Sequence, residues 1–442
     1  MDSKNGLKPV ATADAEKASI EYDPFAMRTN KHHATTDRDT LVHLLKASLG
    51  TGILAMPYVF KASGLLPGFL AALITSFICT HCSYILVKCA HILYKRTKTS
   101  TMSIADVAEV TFANGPVALR CMAPFARYFV TISVFVTYFG SCSVYAVMIS
   151  DNARQMYFFH TGIDVSIRIC ILMFMLPLIL LSCIRSLKFL APVSMLANFC
   201  MVTGLGITIF YFVKDLPDLR ERPIVGDITA IPSSIAITIF AITVAGVVMP
   251  LENQMKTPKN FVGVCGVLSR GMFMVTIMYL LVGFLGFWCF GNITEENITK
   301  NLPVDEIKAQ IVKISVLLAV LLTFSLQLYV CVEIVWNAIK NRFEKRETLA
   351  NYALRIFLAG LSVLLAILMP SMGPLIKLIG AFGFSSLGLI FPVIIELVIC
   401  WDTGFGRFNW ILYKNIICIA FGLFALIFGT MSAIAEVIEK FT

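Results

Sequence analysis

The chain has 442 residues, of which 58% are hydrophobic and only 14% charged, with a mean hydropathy of +0.81. This balance excludes an ordinary soluble domain and marks an all-α polytopic membrane protein. The net charge of +9 does not imply nucleic-acid binding, because Lys and Arg sit in short clusters between apolar runs, the pattern of topogenic charge.

Residues 1–38 read as a disordered cytoplasmic tail, polar and without the charged-then-apolar layout of a cleavable signal peptide. The first span is therefore expected to act as the signal itself. Within the tail, Tyr22-Asp23-Pro24-Phe25 fits a tyrosine-plus-bulky-apolar endocytic sorting pattern. Such tetrapeptides arise often by chance, so a merely solvated tail is the competing reading.

Residues 39–440 form the membrane domain. Counted against the roughly 20 residues that cross a bilayer, its apolar runs give eleven spans. They begin near Leu41, Leu66, Tyr128, Ile169, Phe189, Ile228, Gly271, Ile311, Ala350, Gly373 and Asn415. Span 1 carries features that a plain lipid anchor avoids: His43, Lys46, Gly50-Thr51-Gly52 and Pro57. We read Gly50-Thr51-Gly52 as an unwound hinge whose backbone N–H groups meet a carboxylate. Close helix packing is the alternative use of such small residues. The spacing of His43, Lys46 and Gly50 by three and four predicts one shared helical face. An imidazole titrates near the physiological range, which makes His43 a candidate proton carrier, against a neutral histidine bonded to a carbonyl. Lys46 is expected to snorkel or to pin the inner half of the span.

In span 2, His81 is a further proton-path candidate, or a satisfied packing histidine. Cys79-Thr80-His81-Cys82 resembles a metal motif but has no second ligand pair nearby, so no metal is expected. The thirteen cysteines lie mostly in apolar runs and are absent from the outer loops, so they read as buried thiols. Span 4 is short, lying between Arg168 and Arg185. Span 6 is interrupted at Ala245-Gly246, before Met249-Pro250, and Glu252 at its cytoplasmic end is a candidate gate or a partner for a basic residue. In span 8, Gln327 and Tyr329 either line a cavity or bond between helices, and Glu333 is a second gate candidate. Pro370-Ser371-Met372-Gly373-Pro374 reads as a tight turn between spans 9 and 10.

Basic clusters follow spans 2, 4, 6 and 8, at Lys88, Lys95, Arg96 and Lys98, then Arg185 and Lys188, then Lys256 and Lys259, then Lys340, Arg342, Lys345 and Arg346. All fall on the side of the tail, which puts the amino terminus in the cytoplasm and, with an odd span count, the carboxyl terminus outside or in a lumen. Two glycosylation sequons, at Asn292 and Asn297, fall in the outer loop after span 7. Breaks in spans five apart predict a 5+5 inverted repeat, about 39–213 and 228–400, with an extra span at about 412–436.

His43-Leu44-Leu45-Lys46, Gly50-Thr51-Gly52-Ile53-Leu54-Ala55-Met56-Pro57, Lys88-Cys89-Ala90-His91, Pro250-Leu251-Glu252-Asn253 and Asn301-Leu302-Pro303 together resemble the proton-coupled amino acid transporters of the amino acid/auxin permease family. The likeness covers about residues 38–440. It implies a leucine-transporter-type fold and import of small neutral amino acids with protons across a plasma or endolysosomal membrane. It also matches His43 and His81 to the family's span-1 and span-2 histidines. Such relatives carry Phe-Glu-Gly in the span-6 break, where this chain reads Phe240-Ala241-Ile242-Thr243-Val244-Ala245-Gly246. Thr243 stands in the place of the carboxylate, which leaves the substrate and the coupling ion open. The outer loop also lacks the cysteine that many relatives use for a disulfide.

The expected mechanism is alternating access by a monomeric transport unit. Spans 1, 2, 6 and 7 rock against spans 3, 4, 8 and 9, with the ammonium of the solute at carbonyls and Thr243 around Ala245-Gly246. Sodium coupling through Ser48, Thr51 and Thr243, uncoupled transport, or an amino acid-sensing receptor of the same fold are the rivals. No nucleophile–base or metal-ligand set converges in the spans, so an enzyme is not expected.

Overall fold

The computed structural model describes residues 23–25, 28, 34–185, 187–214, 216–343, 346–401 and 404–441. Residues 1–22 of the tail, Tyr22 among them, and Lys345 lie outside the described residues. Helices dominate what is described, and an isolated parallel bridge pairs Thr35 with Met255. Nine segments among the described residues are long and apolar enough to cross a membrane. The first and fourth expected spans are not among these nine.

The first expected span is broken. Helix α1 (Asp37–Ser48) begins with a capping box, in which Thr36 and Asp39 each bond the other's backbone N–H. A 3-10 turn (Thr51–Ala55) and α2 (Met56–Ser63) complete it. Next come α3 (Leu65–Thr97), the short α4 (Ile104–Ala113) and α5 (Ala123–Thr161). The fourth expected span is α6 (Ile167–Ser182), only 16 residues long. Its last carbonyls are satisfied from another helix. The Arg355 guanidinium, 5% exposed, donates to the carbonyls of Ser182 at 2.9 Å and Ile184 at 3.2 Å.

The chain continues through α7 (Leu187–Lys214), then α8 (Ile231–Ile242) and α9 (Ala245–Gln254), the two halves of a second broken segment. It ends with α10 (Val267–Phe290), α11 (Ile307–Ile339), α12 (Glu347–Leu368), α13 (Met372–Leu378), α14 (Phe391–Cys400), α15 (Trp410–Phe424) and α16 (Thr430–Phe441). Wide π-type turns at Ile379–Phe384 and Ser386–Ile390 join α13 to α14. The break between α12 and α13 falls within the Pro370–Pro374 corner.

Helix α11 packs on α5 and α7, α3 packs on α8, and α10 packs on α2. Large apolar side chains such as Phe77, Phe199 and Phe273 point outward, as expected where the surrounding solvent is hydrocarbon. Many hydroxyls inside the helices donate to the carbonyl four residues earlier, as at Ser63, Ser76, Ser83, Thr208 and Thr238. Self-satisfaction of this kind lets Ser and Thr enter a membrane helix without an external partner.

The corner between α2 and α3 positions the first break. There Gly64 has φ +89, and a Cβ on it would lie 2.3 Å from the Gly226 nitrogen. The Gly226 N–H donates to the Ser63 carbonyl at 2.9 Å, and the Leu66 N–H to the Ile224 carbonyl at 2.9 Å. Glycine is required here by both conformation and contact. Replacing Gly64 with Ala should cost at least about 1–3 kcal/mol from backbone strain alone. The thermal midpoint of the detergent-purified protein should fall, and an unchanged midpoint would contradict this account of the corner.

Candidate functional site at the paired helix breaks

The backbone of the first segment leaves the helix at Leu49, which has ψ 61, and Gly50 is extended at φ −94, ψ −164. The first ladder bond of the following 3-10 turn runs from the Ile53 N–H to the Gly50 carbonyl, 3.4 Å. The N–H groups of Thr51 and Gly52 therefore precede the ladder and head a half-helix. The Gly50 N–H is bonded instead to the Ser48 carbonyl at 2.8 Å. Only two of the three expected backbone donors are thus left to meet a carboxylate.

The two glycines do different work. A Cβ built on Gly50 meets no atom within 4 Å, whereas one on Gly52 would lie 2.5 Å from the Ala241 Cα. Gly52 lets the two broken segments cross backbone to backbone. Gly50 borders open space.

The second break lies two residues earlier than Ala245-Gly246. Helix α8 ends at Ile242, Thr243 is extended at φ −69, ψ 120, and Val244 turns the chain into α9. Ala245 and Gly246 form the first turn of α9, whose ladder starts with the Val247 and Val248 N–H groups on the Val244 carbonyl. Gly246 is small for a neighbour: a Cβ there would lie 2.1 Å from the Tyr138 hydroxyl. At the end of α8, the Thr243 N–H takes the Ile239 carbonyl at 3.0 Å, so the carbonyls of Phe240, Ala241 and Ile242 come after the last ladder bond. The break that leaves these N–H groups thus crosses, at Gly52 and Ala241, the helix end that leaves these carbonyls. The Thr243 hydroxyl lies 3.7 Å from the Cys79 thiol, and its methyl group packs on Gly388.

Three tyrosines that composition alone reads as core frame the crossing. Tyr279 of α10 donates to the Ser48 carbonyl at 2.6 Å, closing the end of α1. Tyr145 of α5 lies within hydrogen-bonding reach of Thr51 and accepts from the Gln327 amide at 3.2 Å. Tyr138 lies against the start of α9. The periodicity of apolar helices hides such residues, because a buried tyrosine and a phenylalanine occupy the same positions.

The other expected site residues lie away from the crossing. His43 and Lys46 are both exposed on α1. The helix stops at Ser48, so Gly50 leaves the face that helical spacing assigned to all three residues. His81 lies between the rings of Phe77 and Tyr84, 6.4 and 6.3 Å away, and its buried Nε2 has no hydrogen-bond partner. Cys79 faces Thr243 and Cys82 meets Cys418, so the side chains of the Cys-Thr-His-Cys motif point to different neighbours. Glu333 is exposed. Glu252 is fully buried and paired with Arg28 at 2.7 Å, beside His91 and Tyr94. Between α10 and α11, Asn292 is exposed, while Asn297 is 1% exposed and its Oδ1 accepts from the Thr299 N–H and hydroxyl.

Substitutions at the two glycines separate space from packing. Gly50→Val should abolish uptake while surface expression stays at the wild-type level, because the added methyls enter open space. Gly52→Ala should lower the folded yield itself. Normal uptake by Gly50→Val, measured with labelled amino acid in expressing cells, would contradict the site.

The family model described as transmembrane amino acid transporter protein matches residues 33–435. The chain is 52% identical over 432 residues to the "Proton-coupled amino acid transporter-like protein pathetic" of Drosophila melanogaster, covering 97% of this chain and 91% of that one. It is 24% identical over 466 residues to the "Probable amino acid transporter skat-1" of Caenorhabditis elegans, covering 100% and 99%. Among solved structures, the inward-facing conformation of Mhp1 superposes with a TM-score of 0.59 at 12% identity over 93% of each chain. The closed conformation of Mhp1, a nucleobase-cation-symport-1 family transporter, gives 0.55 at 12% identity over 94% of this chain and 95% of that one. These likenesses show a shared transporter fold. By its sequence, the chain belongs to the transmembrane amino acid transporter family.

Proposed function

We propose that this transporter carries small neutral amino acids together with protons, by alternating access through eleven spans arranged as a 5+5 inverted repeat plus one. The observation that supports the reading is the crossing of the two broken segments at Gly52 and Ala241, which brings the Thr51 and Gly52 N–H groups near the carbonyl end of α8. A zwitterion has the complementary ends. The polar side chains named around the crossing, Thr51, Tyr138, Tyr145, Thr243, Tyr279 and Gln327, are neutral, which suits a solute with no net charge. Open space at Gly50 and the Tyr138 ring at Gly246 favour a short side chain.

The proton-coupled name of the Drosophila relative supports a proton as the coupling ion. Ser48, one of the candidate sodium ligands, has its hydroxyl on the Leu44 carbonyl at 2.8 Å and its carbonyl under Tyr279. Both commitments weigh against a sodium site there. The proton carrier we assign is His43, on the half-helix that ends at the break, with His81 as the second candidate. The amino terminus is assigned to the cytoplasm on the Lys and Arg clusters, and the carboxyl terminus to the opposite side.

Uptake of labelled glycine, alanine and proline should rise severalfold when the outside pH is lowered from about 7.5 to about 5.5, which spans the imidazole range. It should not respond to replacement of sodium. His43→Ala should flatten the pH profile, and an unchanged profile in that variant would move coupling elsewhere. Asn292→Gln should remove the endoglycosidase-sensitive mobility shift and Asn297→Gln should leave it. The reverse result would contradict the outer-loop geometry.

A further inference from the structure

The polar segment ahead of α1 packs onto the end of the molecule where α3 and α9 finish. Pro24 is buried. The Phe25 ring lies edge-on to His91 and Tyr94 of α3, with centroids 5.0 and 6.2 Å away. Lys259 covers the same ring at 5.6 Å and pairs with Asp23 at 3.1 Å. Arg28 lies over Phe25 and Tyr94, at 5.3 and 5.7 Å. Its guanidinium donates to the Ser100 carbonyl at 3.0 Å, the Glu252 carbonyl at 2.7 Å and the Glu252 carboxylate at 2.7 Å. That carboxylate is 0% exposed and also meets His91 Nε2 at 2.9 Å and the Tyr94 hydroxyl at 3.0 Å.

A carboxylate so completely buried depends on its counter-charges, and losing one leaves an uncompensated charge. Arg28 is therefore held by a committed contact. The start of α1 is tied to the same end of α9. The Thr35 N–H donates to the Gln254 carbonyl and the Lys256 N–H to the Thr35 carbonyl, both at 2.9 Å, and Asn260 donates to Asp37 at 2.8 Å.

Phe25 is the bulky apolar position of Tyr22-Asp23-Pro24-Phe25. A protein that reads this tetrapeptide must take the apolar side chain into a pocket of its own, and one ring cannot occupy two pockets. We propose that the docked residues Asp23, Pro24, Phe25 and Arg28 form a latch that withholds this motif from a cytosolic adaptor reading Tyr-x-x-apolar tetrapeptides, and that release of Arg28 from Glu252 presents it. The proposal rests on the cytoplasmic placement of the tail given above. Docking and adaptor capture compete for the same residues. The apparent affinity of the adaptor is reduced by the undocked fraction, and capture in turn frees the end of α9.

The test uses the full-length protein purified in detergent, where sidedness plays no part, and a purified adaptor domain that binds such tetrapeptides. A synthetic peptide of residues 18–30 serves as the unlatched reference. The wild-type chain should bind at least about tenfold more weakly than the peptide, as a mostly docked tail requires. Arg28→Ala should restore the chain to within about twofold of the peptide, and Tyr22→Ala should remove binding in both. Equal binding by the wild-type chain and Arg28→Ala, or no binding by the peptide, overturns the proposal. A second readout covers variants that fold poorly. Pro24→Cys, in a background with the exposed Cys121 and Cys265 changed to Ser, should react slowly with a maleimide and at least about tenfold faster once Arg28 is Ala. Equal rates in well-folded protein also overturn it. Maleimide labelling of Pro24→Cys from outside intact cells would instead refute the orientation alone.

Discussion

Gly52 approaches Ala241 so closely that no side chain fits between the two backbones. Two membrane helices can cross in this way only where one of them lacks a side chain and the ladders of both are interrupted. Interruption leaves N–H and C=O groups in a low-dielectric interior, where each unsatisfied group costs several kcal/mol. Part of that cost is met by protein: Tyr279 satisfies the Ser48 carbonyl, and the Gly50 N–H turns back on Ser48. What is left at Thr51, Gly52 and the end of α8 are N–H and C=O groups outside both ladders, which the proposed function assigns to the two ends of an amino acid.

Most of the helix plan was legible because the bilayer imposes it. Long apolar runs, their basic flanks and the Pro370–Pro374 corner mark helix ends to within a few residues. The first break was visible because Gly50-Thr51-Gly52 and Pro57 concentrate helix-breaking residues in one span. The second was displaced for an instructive reason. Reading small residues as hinges pointed to Ala245-Gly246, yet the unwound residues are Thr243 and Val244, whose dihedrals need no glycine. Gly246 is small because Tyr138 lies on it. Gly50 likewise has an ordinary φ, and its lack of a side chain serves space and not conformation.

Contacts made across great sequence distance were not legible. Arg28 and Glu252 are 224 positions apart, and composition carries no record of such a pairing. Arg355, which no sequence pattern singles out, closes the carbonyl end of α6 and so explains how a 16-residue helix can stop where it does. His43 and Lys46 were grouped with Gly50 by helical spacing, which holds only while the helix lasts. The end of α1 at Ser48 dissolves that face. Asn297 shows the same limit, since a sequon specifies an acceptor and says nothing of its burial.

The central claim is that an amino acid binds where the two broken segments cross. A cryo-electron microscopy map of the purified chain with a bound neutral amino acid tests it most directly. The account predicts density between Thr51-Gly52 and the end of α8, with the carboxylate toward the Thr51 and Gly52 N–H groups and the ammonium toward the carbonyls of Phe240, Ala241 and Ile242. Density elsewhere, with the crossing unchanged and empty, would contradict it.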